Sequence, residues 1–179
     1  MAVDVMLDIE TLATSPDAVV LTFGAVKFNP FGNTVNGDKS MYCRLEVDEQ
    51  IRLGRKVDEN TVLWWGNQAA DVKEEALGDH NRISLYEFTR QLNRFLVGTD
   101  RIWAQGPVFD IVILENLYRQ LEIPAPWLYY NIRDSRTLLK ALGDDRVIGK
   151  AGLHNALEDC ISQAQAVQGA LRRHNLQTA

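Results

Sequence analysis

The order of short apolar segments and longer amphipathic segments constrains the fold of this chain more than any other feature of its sequence. Three strand-like segments come first and two helix-like segments follow, after which strand, helix, strand, helix and helix complete the chain. Such an order predicts one mixed sheet covered by helices. A length of 179 residues suits one compact α/β domain, which we expect to span residues 1–179.

The predicted strands are segments rich in Val, Leu, Ile and Phe that end at polar or turn-forming residues. They cover residues 3–7, 18–28, 40–47, 101–105 and 128–132. The turn signal at residues 29–33 contains Pro30 and Gly32 and predicts that the second and third strands are antiparallel. The predicted sheet therefore has five strands.

The predicted helices are segments in which apolar residues recur every three to four positions. They cover residues 59–70, 84–96, 110–121, 134–142 and 155–174. Ser84, Asp134 and Asn155 stand where a helix N-cap is expected, and Ser84 and Asn155 each have a Glu three residues later. Residues 71–82 are charged and are predicted to be irregular or weakly helical, and residues 143–152 read as a polar loop.

Composition limits the cellular setting that we expect. No apolar run approaches the roughly 20 residues that would span a bilayer, so no membrane partner is expected. The start of the chain lacks the basic flank and long apolar stretch of a signal peptide, which favours a cytoplasmic protein. Cys43 and Cys160 do not form a metal-type pair and are expected to be buried free thiols in a reducing compartment.

The net charge of −5 taken alone counts against a nucleic-acid partner, because proteins that bind nucleic acids usually carry a basic face. The objection is weaker for a metal-dependent enzyme. Divalent cations would offset clustered carboxylates and would themselves attract phosphate.

Two acidic residues close the first predicted strand. Asp8 and Glu10 are two positions apart, so their side chains point to the same face of the strand while Ile9 points to the other. Two neighbouring carboxylates repel each other, and a bound cation would relieve that repulsion. The alternative is that both residues begin a solvated loop.

Three further candidates follow later in the chain. Asp110 lies between a predicted strand end and a helix start, where open α/β sheets bind ligands, although taken alone it is more often a helix N-cap. His154 precedes the last predicted helix and Asp159 lies about one turn inside it. Taken singly, His154 could be an ordinary hydrogen-bonded histidine and Asp159 a solvated helix charge.

In combination, these residues resemble the DEDDh 3′–5′ exonuclease superfamily, which has an RNase H-like fold. The first motif of that superfamily is similar to residues 8–12, the second to the segment ending at Phe109 and Asp110, and the third to residues 154–159. Segments around Trp64, at 103–106 and at 133–138 are similar to the Rv2179c-like exoribonuclease group and to phage exodeoxyribonucleases. The resemblance covers nearly the whole chain.

The resemblance implies a two-metal-ion hydrolysis of phosphodiester bonds at the 3′ end of single-stranded DNA or RNA. Two Mg²⁺ or Mn²⁺ ions suit an all-oxygen ligand set. Asp8, Glu10 and Asp159 are expected to hold one ion, and Asp8 and Asp110 the other. His154 is expected to be the general base, since a histidine with an ordinary pKa of about 6.5 is largely neutral near pH 7.

Substrate contacts are expected around the first motif and the adjacent tryptophans. The resemblance places Thr11 and Leu12 beside the terminal nucleotide. Trp64 or Trp65 could stack a base, and the alternative is that one packs inward and the other against a loop. Phe109 carries the same two interpretations.

Several alternatives stay open from the sequence. A basic stretch could contact phosphate or form a solvated helix face; it contains Arg133, Arg136, Lys140, Arg146 and Lys150. A binding module without catalysis and a small-molecule phosphohydrolase are the competing functions. No motif distinguishes DNA from RNA. The resembled superfamily includes both monomers and dimers, so a homodimer is one of two expected assemblies.

Overall fold

The structure is a computed structural model that describes residues 3–35, 37–144 and 154–176. Its centre is a mixed six-stranded sheet with the strand order β4-β3-β2-β1-β5-β6. The strands are β1 (Asp4–Thr11), β2 (Val20–Phe28), β3 (Ser40–Leu45), β4 (Arg82–Ile83), β5 (Arg101–Ala104) and β6 (Ile132–Asp134). Strand β2 is antiparallel to both β1 and β3, while β4 runs parallel to β3, β5 parallel to β1 and β6 parallel to β5.

Helices cover both faces of the sheet. The helices are α1 (Val47–Arg52), α2 (Glu59–Gly66), α3 (Ala70–Leu77), α4 (Leu85–Phe95), α5 (Asp110–Gln120), α6 (Ser135–Ala141) and α7 (Ala156–Arg173). Helices α4 and α5 pack on one face in the largest apolar cluster, and α7 packs on the other face against Met6, Val26 and Trp103. Short 3₁₀ helices span Gly37–Lys39 and Tyr129–Asn131.

The alternation of side chains along β1 decides which face each acidic residue occupies. Val5, Leu7 and Ile9 are buried in the cluster formed with α4 and α5, whereas Met6 is buried against α7. Asp8 and Glu10 follow Met6 by two and four positions, so their side chains point to the same face of the sheet, towards α7. This matches the same-face orientation expected from their spacing.

Strand β1 extends four residues beyond its predicted end at residue 7. Its pairing with β5 ends at Met6 opposite Trp103, but its pairing with β2 continues through Thr11. Asp8 and Glu10 therefore lie within a strand that is hydrogen-bonded on one side only. The interpretation that they begin a solvated loop is wrong, because their positions are fixed opposite Gly24 and Thr22 of β2.

Helix α7 approaches the sheet closely at Gly24. A Cβ atom added at this position would lie 2.3 Å from the backbone carbon of Ala156, in the first turn of α7. The thiol of Cys160 also donates to the carbonyl oxygen of Gly24, at 3.2 Å. The missing side chain of Gly24 thus lets α7 lie directly on β2, beside Asp8.

The predicted count of five strands is wrong by one. Strand β4 has only two residues, too few for a periodic pattern, and it forms by parallel pairing with Arg44 and Leu45 of β3. The last strand also lies later than predicted, because residues 129–131 form a 3₁₀ turn and pairing with β5 begins at Ile132. Helix α3 lies mostly in the segment predicted to be irregular or weakly helical, and α1 begins at Val47, the predicted end of the third strand.

The predicted helix starts are confirmed in detail. The side chains of Ser84, Asp134 and Asn155 each accept a backbone N–H in the first turn of α4, α6 and α7. Most of the predicted loop at residues 143–152 lies outside the described residues. No helix in the described ranges is long and apolar enough to cross a membrane.

Replacement of Gly24 by alanine is expected to destabilise the fold, because the new methyl group would overlap the backbone of Ala156. Overpacking of this kind costs about 1–3 kcal/mol. Each kcal/mol corresponds to a fall in Tm of about 2–4 °C in a domain of this size, measurable by thermal unfolding. Gly66→Ala is the control, since nothing lies within 4 Å of that position. Equal Tm values for the two variants would contradict the close approach of α7.

Candidate active site

Three carboxylates converge between β1 and α7. One carboxylate oxygen from each of Asp8, Glu10 and Asp159 lies within 4.8 Å of the others, and all three side chains are half-buried. The strand places two of them on one face, and the first turns of α7 bring Asp159 over that face. Residues separated by about 150 positions thus meet in one acidic cluster.

Asp110 joins this group from the opposite side. It is the first residue of α5, whose N-cap is Phe109, and the side chain of Phe109 makes no capping hydrogen bond. The Asp110 carboxylate instead accepts the backbone N–H of Ile9 at 3.3 Å, a donor on the β1 edge beyond the last pairing with β5. The helix-cap interpretation of Asp110 is therefore wrong, and its carboxylate lies against the segment between Asp8 and Glu10.

The pKa values of the four carboxyl groups are all raised, mainly because the groups are buried. Burial, then the charges of Asp110 and Glu10, raise the pKa of Asp8 well above its ordinary value. Burial, then Asp159 and Asp110, raise the pKa of Glu10 to about 8. Burial raises the pKa of Asp110 to about 7 and also raises that of Asp159, against the opposing influence of His154. The positive charge of the described residues around the site is therefore too small to keep the pKa values of the four carboxyl groups in their ordinary range.

Gln163 belongs to this cluster and was not identified from the sequence. Its amide nitrogen donates to Asp8 at 3.0 Å, while its Oε1 is buried and has no hydrogen-bond partner among the described residues. Because it lies four residues after Asp159, it occupies the same face of α7. The four-residue spacing from Asp159 could have indicated that Gln163 faces the site. A single glutamine in a helix is not specific enough to predict a functional role by itself.

His154 lies in the same pocket, which has a volume of about 690 Å³ and is also lined by Asp8, Glu10, Asp110 and Asp159. Its backbone is left-handed, with φ of 39°. This conformation costs a residue with a side chain about 1–2 kcal/mol. The imidazole packs edge to face with Trp64, with ring centroids 4.8 Å apart and planes at 87°. All five predicted catalytic residues therefore line one pocket.

A smaller pocket of about 320 Å³ adjoins the first one. Ile9, Glu10 and Phe109 line both pockets. The remaining lining residues of the smaller pocket combine aromatic surfaces with small polar groups: Thr11, Thr14, Asn60, Thr61, Trp64 and Trp65. This pocket is mostly apolar and opens next to the acidic cluster.

The two adjacent tryptophans have different environments. Trp65 is buried, and its indole N–H donates to the carbonyl oxygen of Thr11 at 2.9 Å, which joins α2 to the end of β1. Trp64 is 43% exposed and contacts His154. This corresponds to the alternative in which one tryptophan packs inward and the other against a loop, although the exposed part of Trp64 still lines the smaller pocket.

The two residues after the acidic pair also differ. Thr11 lines the smaller pocket, and its hydroxyl donates to the carbonyl oxygen of Ala13 at 2.7 Å. Leu12 is buried in an apolar cluster with Val19, Leu21 and Trp65 and lines neither pocket. Leu12 therefore supports the wall of the smaller pocket through Trp65 rather than forming its surface.

The donor set fits a hard divalent cation. It consists of carboxylate oxygens, without cysteine. The Oε1 of Gln163, which has no hydrogen-bond partner in the described part of the chain, belongs to a residue that lines the same pocket. The α/β fold and the carboxylates that converge beside an imidazole fit the class of metal-dependent hydrolases.

The chain belongs to the family of the 3′–5′ exoribonuclease Rv2179c-like domain, whose model matches residues 3–171. It is thus a 3′–5′ exonuclease domain, the superfamily predicted from the sequence is confirmed, and membership implies dependence on a divalent metal ion. The exodeoxyribonuclease of Enterobacteria phage T4 is 22% identical over 202 residues, which cover 94% of this chain and 89% of the phage protein.

Solved structures share the fold at low sequence identity. Escherichia coli exonuclease I in complex with a dA16 oligonucleotide has a TM-score of 0.66 and 17% identity, covering 98% of this chain and 42% of that one. Cell-death related nuclease 4 has a TM-score of 0.61 and 16% identity, covering 96% of this chain and 64% of that one. This chain therefore spans less than two thirds of these two solved chains.

Without metal, the folded protein is expected to lose stability as pH rises from about 4 to 8. Glu10 has an ordinary pKa of 4.5 and a folded value of about 8, so the folded state keeps a proton that the unfolded chain has released. Stability then falls with pH because the folded state binds more protons. Thermal unfolding in EDTA at pH 5 and pH 8 measures this effect.

The double variant Asp8→Asn, Glu10→Gln is the control for this pH dependence, because neutral side chains remove two of the titrating groups. Its Tm should fall less between pH 5 and pH 8 than that of the native protein, and Mg²⁺ should raise the Tm of the native protein at pH 8. Parallel pH profiles for the two proteins would contradict the raised pKa values.

Proposed function

We propose that this domain removes nucleotides one by one from the 3′ end of single-stranded nucleic acid, with two divalent ions held by four carboxylates and His154 as the general base. The observation that carries the proposal is the approach of Asp8, Glu10 and Asp159 to within 4.8 Å in an open pocket that His154 also lines. Hydrolysis of a phosphodiester requires a base for the attacking water and positive charge beside the phosphate. The pocket offers an imidazole as the base and carboxylates as ligands for the ions that would supply the charge.

The four carboxylates would hold the two ions between them, and Asp8 would contribute to both. Asp8, Glu10 and Asp159 would bind one Mg²⁺ or Mn²⁺, and Asp8 with Asp110 would bind the second. When bound, such ions neutralise the phosphate and lower the pKa of attacking water. Gln163 donates to one oxygen of Asp8 and so fixes the orientation of that carboxylate.

His154 would remove the proton from the attacking water. Its imidazole borders the carboxylate pocket, and Trp64 packs against the ring, which restricts its rotation and excludes water from one side. The charge of His154 acts on Asp159, so the two groups are electrostatically linked within the pocket. A general base positioned in this way typically contributes about 10²–10⁴-fold to the rate.

The adjoining pockets would separate the base of the terminal nucleotide from its phosphate. Trp64 and Phe109 offer aromatic surfaces in the smaller pocket, and the larger pocket holds the carboxylates. Stacking of a base on an aromatic side chain is worth about 1–3 kcal/mol.

The complex of exonuclease I with dA16 supports a single-stranded substrate. The family description names RNA and the phage relative is named for DNA, so both sugars are compared in the test.

The test is digestion of matched 5′-labelled DNA and RNA oligonucleotides with Mg²⁺ or Mn²⁺, with and without EDTA. The proposal expects a ladder that shortens from the 3′ end and stops on chelation. Binding of the strand without release of mononucleotides would identify a binding module instead. Turnover of an aryl phosphate ester in preference to the oligonucleotide would identify a small-molecule phosphohydrolase.

Substitutions of the metal ligands and of the general base are expected to reduce hydrolysis to different extents. Asp8→Ala or Asp159→Ala should abolish detectable hydrolysis, because each removes an ion ligand, while His154→Ala should retain a rate lower by about 10²–10⁴-fold. Glu158→Gln is the matched control, since Glu158 is exposed next to Asp159 and does not line the pocket. Full activity of the Asp8 variant in the same ladder assay would refute the assignment.

Arg136 is the described member of the basic stretch that lines the carboxylate pocket. Its guanidinium donates to the carbonyl oxygen of Gln105 at 2.9 Å, which holds it at the pocket rim, and its charge lowers the pKa of Asp110. We expect it to contact a substrate phosphate. Arg146 and Lys150 of the same stretch lie outside the described residues.

Arg136→Gln is expected to weaken oligonucleotide binding and to reduce the slope of log affinity against log salt by about one phosphate contact, roughly 0.7 for a single strand. Fluorescence anisotropy with Ca²⁺ in place of Mg²⁺ would measure binding at several salt concentrations. Lys140→Gln is the control, because Lys140 is exposed on the same helix and does not line the pocket. An equal loss of slope in both variants would favour the solvated-face interpretation.

A further inference from the structure

Glu75 on α3 lies at the centre of a polar network outside the carboxylate pocket. Its side chain is 33% exposed and accepts from three groups, two on β3 and one at the start of α7. The hydroxyl of Tyr42 on β3 donates to Oε1, Arg44 on the same strand lies 3.2 Å from Oε2, and Nδ2 of Asn155 donates to Oε1 at 3.2 Å. Glu75 therefore connects the sheet and α3 to the residue that follows His154.

The sheet side of this network is buried and held by several hydrogen bonds. Arg44 is only 6% exposed. Besides Glu75, its guanidinium donates to the carbonyl oxygens of Glu74 at 3.1 Å and Gly78 at 3.3 Å. Arg44 thus binds the end of α3 to β3 through several hydrogen bonds, and the position of Glu75 follows that of the strand.

Asn155 uses both ends of its amide. Its Oδ1 accepts the backbone N–H groups of Leu157 at 3.0 Å and Glu158 at 3.1 Å, which caps α7. Its Nδ2 donates to Glu75. Serine or aspartate would also cap a helix, but neither side chain offers an amide N–H to donate. The asparagine therefore connects the helix start to α3 as well as capping it.

His154 precedes this anchored residue directly and has a strained left-handed backbone, with φ of 39°. Such conformations persist where the surrounding structure holds them in place. Trp64 contacts the ring of His154, while Asn155 fixes the backbone immediately after it. The direction in which the imidazole projects thus depends on where Asn155 is held.

We infer that Glu75 is a positioning residue for the general base: through Asn155 it fixes the backbone at the start of α7, so that His154 faces the carboxylate cluster. The inference rests on the proposed function of His154. Glu75 itself does not line the carboxylate pocket, so it acts through the segment 154–155 and not on the substrate.

The test is a double-mutant cycle on the rate of oligonucleotide hydrolysis. Glu75→Ala and Asn155→Ser are each measured in the native protein and in the His154→Ala variant. In the native protein each is expected to lower kcat by about 10–100-fold with KM within about twofold, as for a misplaced catalytic group. In the His154→Ala variant, neither is expected to lower kcat by more than about twofold, because the base it positions is already absent.

Asn155→Ser keeps the helix cap and leaves Tyr42 and Arg44 untouched, so it tests the same hydrogen bond even where Glu75→Ala fails to fold. Glu74→Gln is the matched control, since the Glu74 side chain pairs only with the exposed ring of His80 among the described residues, and its kcat should equal the native value. The affinity for Mn²⁺, measured by calorimetry, should be the same for Asn155→Ser and the native protein.

Equal losses of kcat in the native and His154→Ala proteins would overturn the inference, because they would show an effect independent of the imidazole. A weakened Mn²⁺ affinity in Asn155→Ser would also overturn it, since the carboxylates would then be displaced. Failure of the proposed function is recognised separately, by native activity of the His154→Ala variant itself.

Discussion

The contact between α7 and the sheet at Gly24 is the constraint on which the rest of the site depends. Asp8 lies opposite Gly24 in the β1–β2 pairing, and the first turn of α7 passes directly over that glycine. A side chain there would lift the helix and with it Asp159. One residue without a Cβ therefore sets the distance between carboxylates that come from opposite ends of the chain.

The resulting carboxylate cluster destabilises the folded, metal-free protein. Burial and mutual repulsion raise the pKa values of Asp8 and Glu10, so the metal-free protein holds these groups at a cost. The apolar clusters on both faces of the sheet and the hydrogen bond from Ile9 to Asp110 keep the carboxylates together against that repulsion. Residues that conflict with local stability are commonly found at functional sites.

Two kinds of support hold the remaining groups. Trp65 joins α2 to the end of β1 through Thr11, which leaves its neighbour Trp64 to contact His154. On the other side, Asn155 is bound both to its own helix and to Glu75 of α3. The imidazole is therefore held between an aromatic ring and an anchored backbone, and both supports come from segments before β4 in the chain.

The sequence by itself determined the features that depend on neighbours a few residues apart. The common face of Asp8 and Glu10 follows from strand alternation, and the caps at Ser84, Asp134 and Asn155 follow from bonds to residues two or three positions away. The motifs also led to the superfamily and to five of the residues that line the pocket.

Contacts between distant segments were decided only by the tertiary structure, because no local sequence pattern predicts them. The two-residue strand β4 exists through its pairing with β3, Asp110 bonds Ile9 in place of capping α5, and Leu12 packs under Trp65. The hydrogen bond from Asn155 to Glu75 likewise requires α3 to lie beside a residue 80 positions later in the chain.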